Sequence, residues 1–215
     1  CPFKFYVENL LQIENEEEDD LFSSISEGNI FHEVLKEYYK YFIDRNYEIE
    51  YDEDFIEDII EILMNKKGFF QENILYKRKK QEILDVIKNF LKTDIEFINS
   101  ANLRPILLEH SFISNDIING VKIKGRIDRI DMEIINGEPT GYFVIYDYKT
   151  GDVSKKNLPG LLKGTDVQIA IYSYVVEKIL REKGFNPKFI ALLYYSISKT
   201  AKDGKPRFSG IIIEE

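Results

Sequence analysis

The chain has 215 residues, a formal net charge of −9, a hydrophobic share of 44% and a single cysteine. These values predict one domain with one core over residues 1–215, and they exclude an internal disulfide framework or an iron–sulfur cluster made by this chain alone. There is no apolar run of about 18 residues and no signal peptide, so we expect a cytoplasmic protein without a membrane partner. Because the sequence begins at Cys1 rather than at methionine, we expect it to be a fragment of a larger protein.

The acidic balance, taken alone, argues against a nucleic-acid binder. The charges are unevenly distributed, however. Acidic residues concentrate at 14–20 and 48–58, whereas basic residues concentrate at 77–80, 122–129 and 155–163. Each basic cluster by itself is typical of a solvated face, but the second and third flank the carboxylates considered below.

Residues 1–104 are predicted to be mainly helical. Apolar side chains recur at helical spacing over 30–42, a second helix is predicted at about 54–65, and a longer one spans about 83–98. The acidic run at 14–20 is predicted to be a loop.

Residues 105–215 are predicted to form an α/β core with a mixed sheet. Strands are expected at about 106–113, 121–134, 142–148 and 189–196, with an amphipathic helix over 163–183 before the last of them. The segment 142–148 is almost continuously apolar, as expected of a central strand buried on both faces.

The alternation of apolar residues changes phase next to Asp128. Apolar positions are odd-numbered up to Ile127 and even-numbered from Ile130 onward. Such a slip indicates a bulge or a strand end, and bulges often redirect side chains beside active sites. A hairpin over 130–142 would bring Asp128 alongside the next strand.

Asp147 and Lys149 lie two residues apart on the apolar strand, so both project from one face. Burying them is costly unless they pair or bind something, which leaves a structural ion pair and a functional site as the two interpretations. With Asp128 nearby, two carboxylates and a lysine form a hard-oxygen site suited to Mg²⁺ or Mn²⁺. Lys149 would then act on the attacking water or on developing charge. The alternative for Asp128 is a surface ion pair with Arg126 or Arg129.

Three motifs in this order resemble those of the PD-(D/E)XK nuclease superfamily, and within it the RecB/AddB-type exonuclease domains. They are G-x-I-D-R-I-D at 125–131, D-Y-K-T-G at 147–151 and Q-x-x-x-Y at 168–172. The resemblance implies a restriction-endonuclease-like core, with a central mixed β-sheet flanked by helices and an N-terminal helical elaboration. That fold agrees with the pattern of predicted elements.

The resemblance also implies further metal ligands. His32, in a G-x-x-x-H pattern at 28–32, would bind the metal together with Asp128 and Asp147. From the residues alone, a histidine on the flank of an apolar helix face points into a cleft or into solvent. Glu109 resembles the glutamate of the family's first core strand, although a polar residue near a strand end is common.

Substrate contacts are implied in the same way. Gln168 would lie near the metal and the scissile phosphate and act with the catalytic residues, whereas Tyr172 would either contact DNA or simply pack its helix. The basic cluster at 122–129 separately predicts that Arg126 and Arg129 bind the DNA backbone. Cys1 resembles an iron–sulfur ligand of AddB-type domains, but no second cysteine exists here, so a free thiol is expected.

These features predict a Mg²⁺- or Mn²⁺-dependent DNA nuclease, and the resemblance implies an exonuclease in DNA end processing and recombinational repair. The acidic balance predicts weak DNA affinity on its own, which fits an attached or partner helicase. One alternative is a catalytically inactive module that is structural or guides DNA, although all the motif residues are present. Another is a stand-alone nuclease of the CRISPR-associated type. A small-molecule enzyme has no Gly-rich phosphate loop or nucleophile motif to support it.

Overall fold

The computed structural model describes residues 24–45, 48–66, 74–118, 121–151, 153, 168–197 and 207–213. The described helices are α1 (Ser24–Arg45), α2 (Glu53–Lys66), α3 (Ile74–Ser100) and α4 (Gln168–Glu182). The described strands are β1 (Leu103–Ile118), β2 (Val121–Ile135), β3 (Glu138–Lys149), β4 (Lys188–Ser196) and β5 (Phe208–Ile212). Cys1, the loop expected at 14–20 and the basic cluster at 155–163 lie outside these ranges.

The strands form one mixed sheet in the order β1-β2-β3-β4-β5. Its neighbouring strands are antiparallel except for β3 and β4, which are parallel and are separated in sequence by α4. The predicted α/β class, with a restriction-endonuclease-like core and N-terminal helices, is therefore confirmed. Strand β5 was not predicted, although the apolar run at its end is visible in the sequence.

Helices cover both faces of the sheet. Helices α1–α3 pack on one face, where they meet Val144, Tyr146 and Tyr148 of β3. Helix α4 packs on the other face, where it meets Phe143 and Ile145. Strand β3 is thus buried on both sides, as its almost continuous apolar sequence predicts.

Helix α2 shows how the short helices are specified. Asp52 caps it by accepting a hydrogen bond from the Phe55 amide at 3.0 Å, and two acidic residues occupy its first turn. Its buried side chains, Ile56, Ile59, Ile60, Leu63 and Met64, follow the helical repeat. Among the described helices, none is long and apolar enough to cross a membrane.

The phase change beside Asp128 is real and extends across two strands. Asp128 contacts His32 of α1 and the next residue, Arg129, contacts Asp94 of α3, so consecutive side chains turn toward the helices. On β1 the paired segment behaves alike: Leu108 packs into the α1–α3 core and Glu109 also contacts His32. Because of the phase change, Asp128 and Glu109 both face α1 in addition to the residues that strand alternation alone would place there.

Gly141 is required where β3 passes close to the turn before β4. It adopts φ +89°, and a Cβ there would lie 2.1 Å from the Asn186 carbonyl oxygen. We expect Gly141→Ala to lower the free energy of unfolding by about 3 kcal/mol or more, from backbone strain plus the clash. Urea denaturation measures this loss.

Gly137→Ala is the matched control for this substitution. Gly137 has a similar φ of +81°, but a Cβ there would meet nothing within 4 Å. The control should lose only the backbone contribution, about 1 kcal/mol. Equal losses at the two glycines would show that the close approach at Asn186 does not matter.

Candidate metal centre between helix α1 and the sheet

Three side chains from distant parts of the chain converge over the middle of the β1–β2 pair, close to the end of β3. His32 of α1, Glu109 of β1 and Asp128 of β2 each offer one ligand atom, and these atoms lie within 4.8 Å of one another. His32 Nδ1 donates to Glu109 Oε1 at 2.9 Å and lies 3.5 Å from Asp128 Oδ1. One imidazole nitrogen and two carboxylates form a donor set that suits a divalent cation.

The N-terminal half of α1 holds His32 close to the end of β3. Its ring packs edge-on against Tyr148 at a centroid distance of 5.6 Å. One turn earlier, a Cβ on Gly28 would lie 3.9 Å from the Thr150 side chain, so α1 approaches the end of β3 closely. The sequence left two positions open for the His32 side chain, a cleft or solvent, and in the structure it points into the cleft.

Glu109 occupies a backbone conformation that few side chains adopt. Its φ is +46°, in the left-handed region, inside an otherwise extended strand. The pairs Leu108↔Arg129 and His110↔Ile127 flank it, so Glu109 faces Asp128 across the two strands. Backbone strain of this kind, of the order of 1–3 kcal/mol, concentrates at functional sites. Here it turns the carboxylate toward His32.

The cluster concentrates negative charge in a buried place. Burial raises the pKa of Asp128 to about 6; the charge of His32 opposes this shift, and the charges of Asp147 and Glu109 add to it. Burial lowers the pKa of His32, but its hydrogen bond with Glu109 and the charge of Asp128 outweigh that effect and raise it overall. A divalent cation would relieve the repulsion among these carboxylates, so the residues fit a metal ion.

Asp128 is also fixed from its other side. Its Oδ2 accepts a hydrogen bond from the backbone amide of Tyr148 at 2.7 Å. The β2–β3 register ends with Arg129↔Tyr146, and continuing it by one step sets Asp128 opposite Asp147. The hairpin predicted from the sequence therefore does bring the two aspartates together.

Asp147 and Lys149 share one face of β3, as strand geometry predicts. Lys149 Nζ contacts Asp147 Oδ2 and lies 5.8 Å from the centroid of the Tyr194 ring. The Lys149 side chain is 38% exposed, whereas that of Asp147 is 8% exposed. The ion pair considered from the sequence is present, and it lies beside the three-residue cluster rather than apart from it.

Gln168 and Tyr172 belong to α4. Gln168 is the first described residue of that helix, and its side chain lies outside the described part of the structure. The Tyr172 hydroxyl donates to the Arg126 carbonyl at 2.9 Å, and its ring packs edge-on against Phe112. The same contact explains Gly125, where a Cβ would lie 2.7 Å from Phe112. Tyr172 therefore packs the sheet, and its contact with DNA stays a prediction.

Arg126 lies at the rim of the site. Its side chain is 55% exposed, and Nε lies 2.9 Å from Glu109 Oε2. It lines an open pocket of about 470 Å³ together with Asn29, His32, Glu33, Lys36, Glu109 and Ser111. An arginine in this place can reach an anionic ligand in the pocket.

Arg129 corrects the prediction made from the basic cluster at 122–129. Its side chain is 0% exposed and pairs with Asp94 and Asp131, so it cannot meet a DNA phosphate without disruption of the core. A surface ion pair between Asp128 and either arginine is likewise wrong. Arg126 pairs with Glu109, and Asp128 faces His32.

The buried pair of Arg129 and Asp131 predicts a pH-dependent stability. Burial raises the pKa of Asp131 to about 7, although the Arg129 charge opposes this, and the unfolded value is near 3.8. The folded protein therefore holds this proton up to about pH 7, and the associated stability is lost progressively as pH rises from the unfolded pKa to the folded pKa, levelling off above about pH 7. Asp131→Asn, a neutral analogue of the protonated acid, should lack this loss.

Urea denaturation of the wild type and Asp131→Asn between pH 5 and pH 8 tests this expectation. The stability of the variant relative to the wild type should increase with pH, by at most about 1.4 kcal/mol per pH unit. All other titrating groups are shared and cancel in the difference. A difference that does not change with pH would contradict the assignment.

The arrangement defines a class of protein: a mixed α/β fold with a cluster of possible metal ligands, and a lysine beside it at the end of β3. A sequence model of the PD-(D/E)XK nuclease superfamily matches residues 1–212, and the chain belongs to that superfamily. Nucleases of this superfamily use divalent metal ions, in agreement with the His32–Glu109–Asp128 cluster. A comparison with curated protein sequences gave no match.

Proposed function

We propose that the chain is a Mg²⁺- or Mn²⁺-dependent deoxyribonuclease that hydrolyses DNA phosphodiester bonds, and more narrowly an exonuclease of the RecB/AddB type. The observation that carries the proposal is the convergence of His32, Glu109 and Asp128, with ligand atoms within 4.8 Å of one another. The ion pair of Asp147 and Lys149 lies beside them, and it supplies a further carboxylate for the metal and a positive charge that can offset the charge developing on a phosphodiester.

His32, Asp128 and Asp147 would hold the metal, with Glu109 as a further ligand. When bound, the cation lowers the pKa of a coordinated water and offsets negative charge on the phosphate. The Tyr148 amide keeps Asp128 oriented through its 2.7 Å hydrogen bond, so this carboxylate is placed before any ligand arrives.

The remaining residues would act on water and phosphate. Lys149, held by Asp147 and partly exposed, would orient the attacking water and offset the charge that develops on the phosphate. Gln168, at the start of α4, would position the scissile phosphate. Arg126, at the rim of the pocket, would bind a neighbouring phosphate of the DNA backbone.

DNA delivery would depend on a partner. The net charge of −9 disfavours strong binding to DNA by this chain alone. Basic residues beside the site, Lys122, Lys124 and Arg126 among them, are exposed and can follow a phosphate backbone. We therefore propose a helicase domain or subunit that feeds DNA to this chain during end processing and recombinational repair.

The direct test is degradation of end-labelled linear DNA with Mg²⁺ or Mn²⁺, by this chain alone and by this chain together with its proposed helicase partner. Degradation should require the metal and stop when EDTA is added. A closed circular DNA of the same sequence should resist, since an exonuclease needs an end. If the chain degrades neither substrate even together with that partner, the proposal is wrong.

A further inference from the structure

A fully buried cluster of charged side chains lies beneath the metal centre. Asp94 of α3 and Arg129 and Asp131 of β2 are each 0% exposed. The Arg129 Nη1 and Nη2 atoms donate to the two carboxylate oxygens of Asp94 at 2.5 and 3.2 Å, and Nε lies 2.9 Å from Asp131 Oδ1. We call these three residues the Arg129 cluster.

Tyrosines enclose the Arg129 cluster. The Tyr39 hydroxyl of α1 donates to Asp94 Oδ2, and the Arg129 guanidinium stacks over the Tyr146 ring at 4.2 Å. A buried ion pair such as that of Arg129 and Asp94 contributes little net stability, because an apolar replacement of similar size is often as stable or more so. Stability alone therefore does not account for this cluster, whereas a role in fixing geometry does.

The cluster reaches the metal centre through one residue, Tyr148. Arg129 Nη1 donates to the Tyr148 hydroxyl at 2.9 Å. The Tyr148 amide donates to Asp128 Oδ2, and the Tyr148 ring packs against His32. Tyr148 thus contacts two of the three residues that could hold the metal, and its far end is fixed by Arg129.

A second connection runs through the backbone. Arg129 follows Asp128 directly, at the phase change where consecutive side chains turn toward the helices. The bidentate contact of Arg129 with Asp94 holds this turned segment against α3. If Asp94 released Arg129, the backbone that aims Asp128 would lose its anchor.

We propose that Asp94 is a positioning residue for the metal centre, acting through Arg129 on Tyr148 and Asp128. The inference rests on the proposed function, because it assumes that a divalent cation binds at His32, Glu109 and Asp128. Asp94 itself does not contact the metal ligands. It lies in the part of the chain, 40–104, that carries none of the recognised motifs.

The test measures Mn²⁺ binding rather than activity. The free Mn²⁺ signal in electron paramagnetic resonance gives the dissociation constant for wild type, Asp94→Asn and Tyr148→Phe, at a temperature where circular dichroism shows each protein folded. Asp94→Asn should weaken Mn²⁺ binding about tenfold, the lower limit for loss of a group that hydrogen-bonds a metal ligand directly, because Asp94 acts through Arg129 and Tyr148. Tyr148→Phe removes only the hydroxyl contact with Arg129 and should weaken binding about three- to tenfold.

Ile60→Val in α2 is the control for a general loss of stability. Ile60 is fully buried, and α2 packs on α1 and α3. This variant should melt at a lower temperature yet bind Mn²⁺ as the wild type does. A purely structural role for Asp94 predicts the same behaviour for Asp94→Asn, whereas a positioning role predicts weaker binding by the folded variant.

The outcomes separate this inference from the proposed function. If the wild type binds Mn²⁺ and the folded Asp94→Asn variant binds it with the same dissociation constant, the inference is overturned but the proposed function is not. If Asp94→Asn does not fold, Tyr148→Phe decides: weaker binding supports the inference, and unchanged binding overturns it. A wild type that binds no Mn²⁺ would overturn the proposed function and this inference with it.

Discussion

Lys149→Ala is expected to slow DNA cleavage about 100- to 1000-fold while leaving Mn²⁺ binding intact. The lysine is partly exposed beside Asp147 and is not one of the three converging ligand residues. Its removal takes away a positive charge that would stabilise the transition state, but no metal ligand. It also removes the lysine charge that neutralises the Asp147 carboxylate, and the more negative site should favour binding of a cation. Single-turnover cleavage of labelled DNA and Mn²⁺ titration measure the two effects separately.

Lys188→Ala is a matched control for this variant. Lys188 begins β4, pairs with Tyr142 at the opposite end of the sheet, and lies 4.6 Å from the centroid of the Tyr142 ring. It is therefore another strand-end lysine next to a tyrosine, but it is distant from the cluster. Its variant should cleave at the wild-type rate. Cleavage by Lys149→Ala within about threefold of the wild type would remove Lys149 from the catalytic residues.

Asp128→Asn is expected to abolish measurable Mn²⁺ binding and, with it, cleavage. Asp128 contacts His32, faces Glu109 and lies opposite Asp147, so every proposed ligand converges on it. Loss of a carboxylate ligand removes both a donor atom and a negative charge. Because loss of a residue that only hydrogen-bonds a ligand already weakens metal binding by up to about 100-fold, loss of the ligand itself should weaken it by more than about 100-fold. Equilibrium dialysis with Mn²⁺ measures this loss.

The same substitution should raise the melting temperature of the protein prepared without metal, at neutral pH. Burial raises the pKa of Asp128 to about 6, so the ionised carboxylate is unfavourable in the folded protein above that pH. A neutral asparagine avoids this cost. Glu133→Gln, a half-buried carboxylate at the other end of β2, should change neither property. Retained Mn²⁺ binding by Asp128→Asn would place the metal elsewhere.

Local patterns were sufficient to predict strands β1 to β4 and part of the site. The continuous apolar run of β3 predicted a strand buried on both faces, and the two-residue spacing of Asp147 and Lys149 placed them on one face. The phase change at Asp128 predicted a redirected side chain. These are consequences of strand periodicity, which depends only on nearby residues.

Long-range pairing could not be predicted in this way. The burial of Arg129 depends on Asp94, 35 positions earlier in the chain, and no local pattern connects the two. A partial signal existed, since Asp94 shares the helical repeat of Leu91, Ile87 and Ile98, and a charge on an apolar face calls for a buried partner. The left-handed backbone of Glu109 gave no signal at all, because glutamate carries no preference for that region.

The separation in sequence of the three converging residues has a consequence for how the protein responds to metal. His32 and Glu109 are 77 positions apart, so their contact exists only after α1 has docked on the finished sheet. An unfolded chain cannot offer this ligand set, so a cation that occupies it would bind the native state selectively. A free metal concentration 100 times the dissociation constant then adds about 2.7 kcal/mol to the stability. Resistance to heat and to proteases consequently reports how much of the centre is occupied.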